Sequence, residues 1–195
     1  MLFHCRYQNV VSDADRWGTL LFGRSGNRAI RLSRLRGRPL ARSMTGELLC
    51  RNLLSELAPD GDFYPEEDEL GKPCLPGSSL YVSISHSGDC VAAAVSDTPV
   101  GIDLQELRRI SDVVLRRYFS PAERSWIDGG EPSERAIRLW TMKEAFGKLL
   151  GNGIYGGIRF FAEFIDDLIV TEYEDAVFLF PEGPEGMLLT VCLAK

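Results

Sequence analysis

Along residues 139–150 apolar side chains recur at helical spacing. Leu139, Met142, Ala145, Phe146, Leu149 and Leu150 fall on one arc at 100° per residue, which predicts a helix running into the glycine stop Gly151-Asn152-Gly153. The opposite arc holds Trp140, Glu144, Gly147 and Lys148. Gly147 costs such a helix about 1 kcal/mol relative to alanine, and beside the Glu144/Lys148 stripe its missing side chain leaves room for a bulky ligand. Glu and Lys at i, i+4 are by themselves an ordinary surface pair worth about 0.2–0.5 kcal/mol. A second stretch changes their weight. Val100-Gly101-Ile102-Asp103-Leu104-Gln105 alternates strictly and predicts a strand with Val100, Ile102 and Leu104 on one face. Gly101, Asp103 and Gln105 share the other.

The remaining pattern supplies helices and short strands in both halves of the chain. Strand-like pieces cover Leu2 to Tyr7 and Thr19 to Phe22, an arginine-rich segment follows, and a helix is predicted from about Ala41 to Leu57 with Leu48, Leu49, Leu53, Leu54 and Leu57 as its buried stripe. The acidic run Asp60 to Glu69 reads as an exposed loop. Strands at Leu80 to His86 and Cys90 to Val95 flank the turn Ser87-Gly88-Asp89, and the small residues of the second imply close packing on both its faces. A helical region spans Ser111 to Trp126, with a junction at Phe119-Ser120-Pro121-Ala122-Glu123 where Ser120 is N-cap, Pro121 opens the helix and Glu123 completes a capping box. Capping alone accounts for Glu123. Strand-like runs close the chain at Ile158 to Ile165, Leu168 to Tyr173, Ala176 to Phe180 and Met187 to Leu193. The expected fold class is α+β, in two halves, 1–98 and 99–195, each pairing a helix with antiparallel strands.

Composition narrows the setting. With 195 residues, 45% hydrophobic and 26% charged, the chain reads as a soluble globular protein able to bury a core without disulfides or a structural metal. Five scattered cysteines match neither a disulfide framework nor a zinc site and point to a reducing cytoplasm. Met1 to Val10 has no long apolar run and no segment approaches a membrane span, so neither export nor membrane anchoring is expected. The net charge of −6 argues against general nucleic-acid binding, yet Arg24, Arg28, Arg31, Arg34, Arg36, Arg38, Arg42 and Arg51 crowd one stretch with only Glu47 against them. Arginine outnumbers lysine 18 to 4, and its planar fork suits phosphate. The cluster suggests a small phosphate-rich ligand, with Arg31 and Arg34 proposed from charge alone.

The ordered motifs resemble the 4′-phosphopantetheinyl transferase superfamily, in particular its larger single-chain members that activate peptide and polyketide synthases. The signature Gly-Ile/Val-Asp, followed some forty residues later by Trp-Ser/Thr-x-Lys-Glu-x-x-x-Lys, stands here as Gly101-Ile102-Asp103 and Trp140-Thr141-Met142-Lys143-Glu144-Ala145-Phe146-Gly147-Lys148. Lys72-Pro73, Ser85-His86-Ser87, Phe119-Ser120 with Glu123, and Gly151-Asn152-Gly153-Ile154 match supporting elements. The resemblance implies two similar halves related by a pseudo-twofold axis. Coenzyme A would be the substrate, its phosphate and adenine end in the N-terminal half, and the metal site and catalytic helix in the C-terminal half. It implies transfer of 4′-phosphopantetheine to a serine of an apo acyl or peptidyl carrier protein, dependent on Mg²⁺, releasing 3′,5′-ADP. Asp103 and Glu144 would be metal ligands, Glu144 also a proton acceptor, and Lys148, with Lys143, would stabilise phosphate charge.

By the same resemblance Ser85 and His86 would contact the 3′-phosphate, Lys72 the phosphates, and Arg42 with Ser43 the adenine end. One position departs from the pattern. Many larger members carry an acidic residue two positions after the aspartate, where this chain has Gln105, whose carbonyl oxygen offers Mg²⁺ a neutral ligand or leaves the place to water. Glu106 is not an obvious substitute, since an unbroken strand points it at the opposite face, yet it resembles the acidic residue of the Asp-Ile-x-Glu motif in the small acyl-carrier synthases, and which of Gln105 and Glu106 joins the metal site stays open in the sequence. The expected partners are coenzyme A and a carrier protein, with no nucleic acid and no membrane, and the protein is expected to act as a monomer. A catalytically inactive coenzyme A- or carrier-binding protein is the alternative; an unrelated Mg²⁺-dependent nucleotide enzyme is disfavoured by the absence of a Gly-x-x-x-x-Gly-Lys-Ser/Thr loop.

Overall fold

The computed structural model describes residues 2–11, 26–61, 64–151 and 160–195. Thr19 to Phe22 and Asn152-Gly153-Ile154 lie outside them, as do the first two residues of the run from Ile158. The chain divides into two compact units, Met1–Val100 and Gly101–Lys195. Mixed helix and antiparallel sheet make the class α+β, as the sequence pattern predicts.

In the first unit β1 (Phe3–Asn9), β4 (Tyr81–Ser87) and β5 (Cys90–Ser96) form a sheet in the order β1-β5-β4, antiparallel throughout. Every residue of β5 is buried, as its small side chains require. Helix α2 (Gly37–Leu57) packs on this sheet through Leu49, Cys50, Leu53 and Leu54 against Val82, Val91, Ala93 and Val95. It begins four residues before the predicted Ala41, because Pro39 sits in a first turn whose N–H groups have no helical partner, so proline does not break it. Gly46 lets the helix approach closely: a Cβ there would lie 2.9 Å from Ile84 Cγ2.

The arginine segment, for which the pattern predicts no element, forms helix α1 (Asn27–Arg34) with Arg28, Ala29 and Leu32 buried. The acidic run after Asp60 is not simply an exposed loop, which corrects the sequence expectation. Glu66–Glu67 is a short strand, β2, paired with β3 (Pro73–Cys74), and its carboxylates turn inward to α1. Arg28 bonds Glu47 and lies 3.1 Å from Glu67, while Arg31 reaches Glu67 at 2.6 Å. Buried charge needs a counter-charge, so part of the basic cluster is occupied by the chain's own acids.

The second unit has a sheet in the order β6-β11-β10-β9, from β6 (Val100–Glu106), β9 (Glu172–Tyr173), β10 (Ala176–Leu179) and β11 (Met187–Ala194). A two-stranded ribbon, β7 (Phe164–Ile165) and β8 (Leu168–Ile169), lies outside that order. Three helices follow β6: α3 (Asp112–Tyr118), α4 (Pro121–Asp128) and α5 (Pro132–Leu150). The junction at Ser120 is a full capping box with Pro121 in the first turn. Helix α5 packs on β11 and ends at Gly151, whose φ of 83° is the left-handed C-cap that glycine adopts without penalty. Leu139, Met142, Ala145, Phe146 and Leu149 enter the core as the periodicity predicts. Leu150 does not: it is 48% exposed, because the helix stops there and its final turn passes the core's edge. All five cysteines are free, and burial pushes the Cys50 and Cys192 thiols far up from their ordinary range. Among the described residues no helix is long and apolar enough to cross a membrane.

Candidate active site

Gly101 sets the geometry of the candidate site. A Cβ at this position would overlap the Ala145 carbonyl oxygen and lie 2.6 Å from the Leu149 amide nitrogen, so the backbone of β6 rests directly on the C-terminal half of α5. Alternate strand residues share a face. Asp103 therefore meets the same helix, where Glu144 and Lys148 stand one turn apart. The Lys148 ammonium donates to Asp103 Oδ1 at 2.6 Å and to the Ile102 carbonyl at 2.9 Å. Gln105 Nε2 donates to Asp103 Oδ2 at 3.2 Å, which places Gln105 at the edge of the group. Asp103 is only 2% exposed, and Glu144 and Lys148 are half-buried.

Electrostatically this arrangement favours a cation. Burial first, and then the Asp103 carboxylate, push Glu144 up to about 7, against the opposing pull of Lys148. Two close carboxylates, one held near neutrality, lose their repulsion when a divalent cation binds. Among the described residues no three His, Cys, Asp or Glu side chains converge. The donors are thus Asp103 and Glu144, with the Gln105 amide beside them. That set fits Mg²⁺, which takes one or two carboxylates, retains waters and completes its shell on substrate phosphates.

Lys143 is adjacent in sequence but placed elsewhere. It is 4% exposed, and its ammonium donates to Glu123 Oε1 at 2.7 Å and to the Phe160 carbonyl at 2.6 Å, within about 5 Å of the Phe119, Phe160 and Phe161 rings. Glu123, fully buried, also accepts from Ala162 N at 2.9 Å and, through Oε2, from Ser120 N at 2.7 Å. It is more than a cap. One carboxylate ties α4, α5 and the 160–162 segment together, and this holds the helix that carries Glu144. The expectation that Lys143 meets phosphate therefore draws no support from this placement. The sequence carries the signal: Lys143 lies four residues after Leu139 and three before Phe146, on the buried arc. Removing one partner of a buried pair costs about 3–5 kcal/mol. Glu123→Ala is accordingly expected to lower the urea midpoint sharply, with Glu123→Ala/Lys143→Met losing less than the single variant. Equal or greater loss in the double variant would deny the coupling.

The other expected residues lie in the first unit. Arg42 is on the stripe of α2 that continues through Gly46, Leu49 and Leu53, and it donates to the Gly88 carbonyl in the β4–β5 turn; its Nε is buried without a partner. Arg38 reaches Asp89 of the same turn at 2.5 Å. His86 is exposed and, by strand alternation, on the Val82/Ile84 side of the sheet, the side that α2 covers. Ser85 is buried and faces the opposite side, so the structure separates it from His86. Ser43 is half-buried beside Arg42. Lys72 adjoins β3, where burial lowers its ammonium against the raising influence of Asp68. The structure thus gathers Asp103, Glu144, Lys148 and Gln105 in one place, and Arg42 and the end of β4 in another.

Residues 99–176 match the family model for the 4′-phosphopantetheinyl transferase superfamily, a span that includes both parts of the motif. Among curated relatives, the chain is 39% identical over 134 residues to 4′-phosphopantetheinyl transferase psf-1 of Bacillus pumilus, covering 65% of this chain and 57% of that protein. It is 34% identical over 119 residues to 4′-phosphopantetheinyl transferase Sfp of Bacillus subtilis (strain 168), covering 58% and 53%. To 4′-phosphopantetheinyl transferase HetI of Nostoc sp. it is 35% identical over 97 residues, covering 45% and 41%. The chain thus spans about half the length of the curated relatives it matches. The resemblance carried by Gly101-Ile102-Asp103 and by Trp140 to Lys148 is thereby shown to be one to this superfamily.

Proposed function

We propose that the protein transfers the 4′-phosphopantetheine group of coenzyme A to a serine hydroxyl of an apo acyl or peptidyl carrier protein, releasing 3′,5′-ADP. The observation that carries this reading is the meeting of Asp103, Glu144 and Lys148 from β6 and α5, within the span the family model matches. In the transfer the serine oxygen bonds to the β-phosphorus. The bond from that phosphorus to the oxygen bridging to the α-phosphate breaks, and its electron pair leaves on 3′,5′-ADP. Glu144, held at about 7, is matched to accept the serine proton near neutral pH. The Lys148 ammonium, anchored by Asp103 and the Ile102 carbonyl, presents its charge to the phosphates. Asp103 and Glu144, with Gln105 at their edge, would hold Mg²⁺, which when bound supplies charge neutralisation to the pyrophosphate.

Within the first unit, Arg42 with Ser43, His86 and Lys72 are proposed to contact the coenzyme's adenine end and phosphates; Ser85, buried on the sheet's other face, does not join them. The partnerless Arg42 Nε and the placement of Arg42 and His86 on one side of the sheet support this. A pseudo-twofold relation of the halves belongs to the same reading, supported by one long helix on an antiparallel sheet in each unit. So does a monomer in a reducing cytoplasm, to which five free cysteines conform.

The test is intact-protein mass spectrometry of apo carrier proteins incubated with this protein, coenzyme A and Mg²⁺. One added phosphopantetheine, lost with chelator, is the expected result. Coenzyme A binding without any mass gain across fatty acid, polyketide and peptide carriers would favour the inactive binding protein. Gln105 offers a finer check. Gln105 donates a hydrogen bond to Asp103 from the edge of the group, and loss of one such bond is worth about 1 kcal/mol, so Gln105→Ala is expected to lower turnover only about fivefold. Gln105→Glu should modestly reduce the Mg²⁺ concentration needed for half-maximal rate. Loss in Gln105→Ala as deep as in Asp103→Ala, with folding intact, would end the two-carboxylate site.

A further inference from the structure

Near the N-terminal end of α5, remote along the helix from Glu144 and Lys148, a surface cavity of about 490 Å³ opens between α4, α5, β8 and the end of β10. Its walls include Trp126, Arg135, Arg138, Leu168, Ile169 and Phe180. The two arginines differ. Arg135 is neutralised: its guanidinium grips Asp167 in a fork at 3.0 and 2.5 Å, donates to the Trp126 carbonyl at 2.6 Å and lies 4.4 Å above the Trp126 ring. Arg138 is half-buried, donates to the Leu189 carbonyl at 3.1 Å and lies 4.6 Å above the Phe180 ring. Among the described residues no carboxylate pairs with it. Glu134, one turn earlier, acts on it only at longer range, and Glu131 accepts from Glu134 N as the helix cap.

A half-buried guanidinium without a carboxylate, on an aromatic platform and in a cavity of ligand size, is what an organic anion with an apolar body requires. We propose that this cavity binds a small hydrophobic carboxylate, its charge on Arg138 and its body between Trp126, Leu168 and Phe180. Glu131 and Glu134 line the same cavity, as does Asp167 on Arg135, and their carboxylates keep such binding modest. Nothing in this inference depends on the transferase reading.

The probe is 2-naphthoate, with 2-naphthamide as its uncharged match, followed by the Trp126 indole N–H resonance assigned through Trp126→Phe. The acid is expected to bind at least about tenfold more tightly than the amide, a difference of about 1.4 kcal/mol. Arg138→Gln should erase that difference, and Arg138→Lys should keep part of it. Because Arg138 also ties α5 to β11, a second variant guards against misfolding. Leu168 is 72% exposed, so Leu168→Glu spares the fold and should weaken the acid more than the amide by like-charge repulsion. Equal affinity for acid and amide, or retention of the difference in Arg138→Gln, overturns the proposal. Competition by coenzyme A at this resonance would assign the cavity to the coenzyme site and overturn it also.

Discussion

Gly101→Ala is expected to reduce transfer by roughly a hundredfold or more, the scale that a misplacement of about 1 Å imposes on a positioned reaction. The added methyl would run into the Ala145 carbonyl and approach the Leu149 amide, both backbone atoms of a helix that cannot turn aside as a side chain does. Either β6 shifts away from α5, parting Asp103 from Glu144 and Lys148, or the helix bends; overpacking of this kind also costs about 1–3 kcal/mol of stability. A thermal melt and the intact-mass assay on the same preparation separate the two effects. Wild-type turnover with an unchanged melting temperature would show that the strand does not rest on the helix as the structure has it.

Asp103→Ala and Glu144→Ala are each expected to lower transfer by about 10²–10³-fold or more, the cost of removing a group that stabilises charge in the transition state. Glu144 carries a further consequence, for stability. Its folded-state carboxyl titrates at about 7, above the ordinary 4.5, so folding favours the protonated form. That contribution is fully present below pH 4.5 and is lost as pH rises through 7. Without metal at pH 8, Glu144→Gln should therefore melt higher than the wild type. The gain is on the order of 1 kcal/mol after discounting for partial exposure, and below pH 4.5, where the carboxyl is protonated in both the folded and the unfolded chain, the difference should disappear. Activity and stability then move in opposite directions at one residue, as at sites whose charges serve a ligand rather than the fold. An equal or lower melting temperature for Glu144→Gln at pH 8 would contradict the crowding of Glu144 by burial and Asp103. Near wild-type transfer by either alanine variant at ordinary Mg²⁺ would remove that residue from the site.

What the sequence determined by itself was local and periodic. The 3.6-residue recurrence from Leu139 to Leu149 and the strict alternation from Val100 to Gln105 named the two elements of the site and the face each presents, because side-chain direction follows directly from backbone geometry. Ser120-Pro121-Ala122-Glu123 specified a helix start for the same reason. Tertiary structure alone decided which faces meet. The close approach that makes Gly101 indispensable involves atoms more than forty residues away, and so does the crowding that lifts Glu144 to about 7. Glu66 and Glu67 look solvated in sequence and become strand, because Arg28 beneath them needs a counter-charge once buried. Lys143 stands beside Glu144 in the motif yet ends in the core on Glu123: adjacent helical residues lie 100° apart, so the periodicity already puts Lys143 on the buried arc, and packing supplies the carboxylate it meets there.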